Sequence, residues 1–267
     1  MIAKYLVLVL FAGVALIPFI WMMSSSLKSS IDVFSIPMQW IPTTFHWENY
    51  LQIWDKVPLF TYFKNTTFVA VLVTFMQILT SSFAAYAFAK MQFKGRDVLF
   101  LAYIGTIAVP WQVYMTPQFI MMRNLGLYDT IWALVMLQSF SAFGVFLMRQ
   151  FYLGIPNELS EAARIDGLSE YGIWARIILP LAKPAIATLT IFTFVNTWND
   201  YMGPLIYLTT DTSKTIQVGL RRFIQAYSAD YNLIMAASIC SLVPVTIVFL
   251  FLQRYFIEGI ATTGIKG

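Results

Sequence analysis

EAARIDGLSEYGIWARIILP, residues 161–180, is the one long run of dense charge in a 267-residue chain that is otherwise 59% hydrophobic and only 11% charged. Ordinary soluble domains are about half apolar and about a quarter charged, so the sequence on either side of this run belongs to another solvent. With mean hydropathy +0.70 and 17% aromatic residues, the composition predicts an integral membrane protein. The run itself is built for water and for a partner.

The connection that holds it, residues 149–183, is too long to be a turn between neighbouring helices. Pro156 suits the first turn of a helix, and Gly167 suits the position just past its end, where only glycine reaches a left-handed backbone easily. Leu159, Ala162 and Ala163 fall on one face, which two alanines leave flat enough for another surface to come close. Glu158 and Glu161 flank it, facing a basic partner, or in the case of Glu161 pairing with Arg164 three residues on. Ser169 is placed to cap a second helix with Glu170 in its first turn. Ile173 and Ile177 then stack beside Trp174 and Ile178, and Pro180 is expected to stop the helix. The prediction is a helix–turn–helix plate under the membrane, hung between two spans. Its geometry leaves two readings open, a docking surface or a solvated amphipathic hairpin.

A spanning helix needs about twenty mostly apolar residues, and the chain offers six: 5–23, 66–88, 98–116, 130–148, 184–207 and 232–253. The first reads as retained rather than as a cleaved signal, being long, carrying Trp21 and lacking a small-x-small cleavage site. Residues 24–65, with several Pro and Trp, read as an interfacial loop. Ser81, Ala85 and Ala89, four apart, offer a face for close helix approach. Pro110 predicts a kink in the third span, and Pro117 the start of a short re-entrant or surface segment. Six spans put both termini on one side. Of the Lys and Arg residues, ten fall on the side of the Lys90, Lys94 and Arg96 turn and seven on the other, which orients that turn, both termini and residues 161–180 to the cytoplasm.

Other chemistries are excluded or unsupported by the residues present. The bases are scattered in short loops with no patch for nucleic acid. Cys240 is alone, so no disulfide or zinc framework forms, and the single histidine, His46, reads as a loop residue rather than a metal ligand. The sequence has no G-x-x-x-x-G-K-[ST] loop, no H-E-x-x-H and no G-x-S-x-G. No catalytic residue, metal or cofactor is therefore expected. Inside the fifth predicted span, Asn196, Trp198, Asn199 and Asp200 cluster. An ionisable group at membrane depth points to function, and amide and carboxylate groups suit a sugar's hydroxyls. The same residues would equally suit an outer gate, or bonds to neighbouring helices near the outer surface. The loop 209–231, with Arg221, Arg222, Tyr227 and Tyr231, is either a docking surface for a soluble binding protein or a solvated loop.

The spacing from Glu161 to Pro180, Glu-Ala-Ala followed by Gly167, Ile177, Leu179 and Pro180, resembles the EAA loop of ATP-binding-cassette importer permeases. Further segments resemble the MalG-type permeases of carbohydrate importers: PFIWM at 18–22, SSFAAYAF at 81–88, PNE at 156–158, NTWND at 196–200 and GIKG at 264–267. The resemblance covers nearly the whole chain. It implies an all-α integral membrane protein of six transmembrane helices, a type I importer permease fold forming a single domain over 1–267. It further implies that Glu161 makes charged contacts with an ATPase, with Arg164 among the coupling residues, that Ala162 and Ala163 permit close docking, and that Gly167 makes the turn, with Asp166 just before it. Ile177, Leu179 and Pro180 would anchor the plate to the fifth span. The partners implied are a second permease, two copies of a cytoplasmic ATPase, an extracytoplasmic sugar-binding protein, a carbohydrate substrate and the bilayer of a bacterial cell membrane. Alternatives are a permease for another small solute in the same superfamily, an ion-coupled secondary transporter and a membrane-embedded enzyme. The clustering of acids in one loop disfavours the transporter, and the missing nucleophile–base set disfavours the enzyme.

Overall fold

A computed structural model describes residues 2–224 and 230–264; Tyr227 and residues 265–267 lie outside the described residues. The chain begins with α1 (Ile2–Ser26), whose spanning window has none of its residues buried within the chain. The loop after it is tied down more firmly than an interfacial loop requires. Lys28 is buried there, donating to the Gln39 carbonyl and lying over the Trp21 ring at 4.3 Å. Asn49, opening α2 (Asn49–Lys56), donates to the carbonyls of Ser26 and Lys28 at 2.9 Å each. Its own carbonyl accepts from Asn232 at 3.0 Å.

Next comes α3 (Leu59–Lys90), the mast of the molecule. Each of three buried clusters includes residues of α3: Leu59 and Tyr62 in one, Val69 and Val73 in another, Ala85 and Tyr86 in the third. Ser81 and Ala85 are fully buried, so the small-residue face is used. A Cβ placed on Gly144 would stand 2.4 Å from Ser81 Oγ and 3.1 Å from Ser81 Cβ, which is why glycine occupies that crossing.

The remaining spans are interrupted. α4 (Arg96–Gly105) runs through a tight turn at Thr106–Ala108, and the chain then bends 98° into α5 (Trp111–Asn124). This corrects the expectation for 98–116. Val109 is held extended ahead of Pro110, as the residue before a proline generally is, and the result is a corner rather than a kink. Pro117 lies inside α5 instead of starting a new segment; its ring costs one ladder bond, which the helix carries. α6 (Ile131–Gln138) and α7 (Ala142–Leu153) meet at 41°, so 130–148 is not one unbroken helix.

After the short α8 (Asn157–Ile165), α9 (Glu170–Leu181) meets α10 (Lys183–Trp198) at 80°. The predicted span 184–207 likewise ends early. α10 stops at Trp198, and Gly203 and Pro204 lie within a separate helix, α11 (Met202–Tyr207). α12 (Ile216–Arg221) and the long α13 (Tyr231–Gly264), with Pro244 inside it, complete the chain. By length and composition three helices are long and apolar enough to cross a membrane, and up to six if each bent pair is one span. Helix α3 packs chiefly on α7 and α10, and α10 and α1 pack on α13.

Candidate functional site

The plate predicted at 161–180 forms, with its parts assigned differently in places. Pro156 is extended (φ −56°, ψ 137°) and leads into α8. The helix ends in a paired cap: Leu168 N–H donates to the Ala163 carbonyl and Gly167 N–H to the Arg164 carbonyl, each at 3.0 Å. Gly167 takes φ +82°, as that cap requires. Ser169 Oγ caps α9 by accepting from Gly172 N–H at 3.3 Å.

Ala163 turns inward with Ser160 and is buried, so it is not part of the open face. That face carries Leu159 (43% exposed), Ala162 and Ile165 (86% exposed), with Glu158 and Glu161 alongside. Arg164 pairs with Glu170 at 2.7 and 3.3 Å rather than with Glu161, because Gly167 folds α9 back beside α8. Glu161 therefore projects without an ion pair among the described residues.

Three contacts hang the plate from the foot of α3. Tyr86 donates to Glu170 at 2.6 Å. Lys90 Nζ donates to the Ile155 carbonyl and to Asn157 Oδ1, at 2.6 and 2.8 Å. Phe83 stacks on Trp174 with ring centroids 3.9 Å apart. Pro180 does not stop the helix. It removes one donor, and the turn ahead of it, Trp174–Ile178, widens to π-helical pairing, with Leu179 N–H bonded to the Trp174 carbonyl. The break falls at Ala182. Ile173 and Ile178 are the fully buried anchors, whereas Ile177 and Leu179 are half-buried and Pro180 is exposed.

A second site lies about 20 Å away along α3 by helical rise, where Gln77 borders a cavity of about 400 Å³. Three of the four helix interruptions contribute to its wall: Trp111 after the first, Gln138 and Phe140 at the second, Asp200 and Met202 at the last, while the break at Ala182 lies away from it. Irregular backbone at membrane depth persists where it lines a cavity and where side chains satisfy its freed groups. Both hold here. Gln77 Nε2 donates to the Gln138 carbonyl at 2.7 Å and Thr80 to the Ser139 carbonyl at 2.8 Å. Asp200 starts α11 by accepting from Gly203 N–H at 3.1 Å, and it accepts from Gln138 Nε2 at 2.9 Å.

Of the four residues singled out in 196–200, Asn196 and Asp200 line this cavity and the other two do not. Trp198 is fully buried, stacked on Phe194, and donates to the Ser241 carbonyl at 3.0 Å. Asn199 accepts from Gln217 at 3.2 Å away from the cavity. Asn196 on the last turn of α10 and Asp200 in the break beyond it both reach the cavity, while Trp198 packs toward α13. Gln77, Gln118 and Gln138 complete the polar lining and were passed over in the sequence. For Gln77 and Gln138 an amide inside an otherwise apolar predicted span was the available signal; Gln118 falls outside the predicted spans and carried none.

At the opposite end from the plate, Asp129 (φ 61°) clamps the 209–210 backbone. The Thr210 hydroxyl, then the Thr210 and Thr209 N–H groups, hold its carboxyl well below the usual range. In the expected docking loop, Arg222 is committed inward, to Tyr62 at 2.9 Å and to Asp211, and Tyr231 packs edge-on against Phe34. Among the described residues no group of three or more His, Cys, Asp or Glu could hold a metal ion.

This combination of a capped surface plate and interrupted helices around a polar cavity has close counterparts. Residues 5–262 match the family described as binding-protein-dependent transport system inner membrane component. The chain belongs to that family. The permease is 34% identical to an arabinooligosaccharide transport permease of Halalkalibacterium halodurans, over 96% of this chain and 93% of that protein. It is 31% identical to a polygalacturonan/rhamnogalacturonan transport permease of Bacillus subtilis, over 97% and 96%. Among solved structures, it superposes on a bacterial alginate importer with TM-score 0.85 and 28% identity, covering 96% of this chain and 95% of that one. The permease thus has the all-helical type I importer permease fold and is a multi-pass membrane protein. It is a transport subunit rather than an enzyme, and its sequence carries no P-loop.

Proposed function

We propose that this permease forms half of the translocation pathway of an ATP-driven carbohydrate importer, with a second, related permease as the other half. One of two copies of a cytoplasmic ATPase would dock on α8 and the other on the second permease, and an extracytoplasmic sugar-binding protein would deliver substrate at the far end. The observation that carries the reading is the exposed strip Leu159, Ala162 and Ile165, rimmed by Glu158 and Glu161, on a helix hydrogen-bonded to the foot of α3. A surface that is apolar, narrow and acid-edged fits a cleft with basic edges, and a rigid link to the mast gives its movement a consequence.

In this reading Glu161 meets the ATPase's basic edge, and Ala162 permits the close approach. Ala163 and Gly167, with Asp166 at the helix end, fix the shape of the plate, and Arg164 locks its two helices through Glu170. Ile177, Leu179 and Pro180 join it to α10. The bases at the plate end favour placing that end, and the termini with it, in the cytoplasm of a bacterial cell. Asn196 and Asp200 line the route taken by the sugar.

The complex purified through this chain and reconstituted with its binding protein is expected to accumulate a labelled oligosaccharide only when ATP is supplied on the plate side. Accumulation driven by an ion gradient without ATP would overturn the proposal.

A further inference from the structure

We infer that the cavity accepts neutral oligosaccharides and rejects those carrying carboxylates; this rests on the reading of the cavity as part of the sugar's route. Membership of the family leaves the question open, since its members include systems named for arabinooligosaccharides and for polygalacturonan. The lining decides it. Asp200 is the one acid in the cavity wall, and no Lys, Arg or His is among the described residues that line it.

The hydrogen bonds already made determine what remains on offer. Asp200 is oriented by Gly203 N–H and Gln138 Nε2, and a carboxylate has further lone pairs that only a donor can use. Gln118 Oε1 is engaged by Trp111 Nε1 at 3.1 Å and by the Tyr207 hydroxyl at 3.4 Å, which leaves its amide N–H groups to donate. Asn196 is exposed on the cavity side and offers both a donor and an acceptor. Phe140, 68% exposed, and Tyr114, 38% exposed, present ring faces.

Hydroxyls donate and accept, and pyranose or furanose rings have C–H faces that lie against aromatic rings. A neutral saccharide satisfies all of these groups at once. A uronate would bring a second carboxylate, unable to donate, beside Asp200 with no cation among this chain's described lining residues to neutralise it. Such an arrangement selects by repulsion as much as by attraction.

The test places a reporter in the wall: Asn196→Cys in a Cys240→Ser background, in membranes containing the assembled transporter. Alkylation by a small maleimide is followed with arabinotriose, maltotriose, diacetylchitobiose or trigalacturonate present. At least one neutral sugar should slow the reaction several-fold, trigalacturonate should not, and Asp200→Lys should reverse that preference. Tyr114→Cys supplies a second reporter if Asn196→Cys does not accumulate. Equal protection by trigalacturonate overturns the inference, as does protection by no sugar. ATP-driven uptake measured in parallel separates the two levels of the argument. Uptake of trigalacturonate alone sinks the neutral-substrate inference but leaves transport standing. Uptake of none of these probes overturns the importer reading itself.

Discussion

At the scale of single residues, Trp198 and Asn196 show how two positions apart on one helix come to opposite uses. Trp198 spends its ring on Phe194 and its N–H on Ser241, so it belongs to the seam between α10 and α13. Trp198→Phe should cost about 1–3 kcal/mol, since a buried carbonyl loses its donor, while leaving KM for sugar unchanged. Thermal unfolding in detergent and uptake kinetics together check this; a raised KM at unchanged stability would put Trp198 back on the pathway. The four-residue spacing of Asn196 and Asp200 already pairs those two in the sequence, whereas the commitment of Trp198 to the α13 seam depends on Ser241, 43 positions away, which no local pattern shows. Gly167, by contrast, was legible outright. It sits at φ +82° with open space where a Cβ would go, so the constraint is purely in the backbone, worth about 1–2 kcal/mol for a residue with a side chain.

At the scale of elements, the plate acts through its attachments. Arg164 on α8 bonds Glu170 on α9, and Glu170 accepts from Tyr86 on α3, a chain of contacts running from the exposed helix to the mast. Tyr86→Phe and Glu170→Gln are each expected to lower sugar transported per ATP hydrolysed. The double variant should do little more than either alone, because both break one chain of contacts. The ratio of uptake to hydrolysis in proteoliposomes reads this, and strictly additive losses would contradict it. Ser169 and Glu170 could be placed in the sequence because caps have local signatures. The partner of Glu170 could not, since Tyr86 is 84 positions away. The three helix breaks that border the cavity were legible to different degrees. Pro110 announced the first. The second, at 139–141, carries no Pro or Gly, and its carbonyls are satisfied by Gln77 and Thr80 from another helix. The third follows from Asp200 capping α11. Tertiary bonds set the second, so local pattern could not reveal it, whereas the third rests on a bond three residues long beside Gly203 and Pro204, a signal the sequence carries.

At the scale of the whole molecule, composition and hydropathy were enough for the class, and the motif spacing for the family. The structure adds how much of this chain's surface is left open. The window of α1 buries nothing, the cavity is walled by one chain's broken helices, and α8 holds an apolar strip open to solvent. In the proposed reading each is a surface whose counterpart would lie in lipid or in another subunit, and the account stands on the last of them. The most direct measurement is ATP-driven sugar uptake by the reconstituted transporter carrying Ala162→Trp, a change on an exposed position that the fold itself tolerates. The account predicts normal amounts of folded permease in the membrane and loss of uptake, because the indole fills the gap that docking needs. Uptake at the unmodified rate would show that the open face of α8 is not where ATP hydrolysis is coupled to transport.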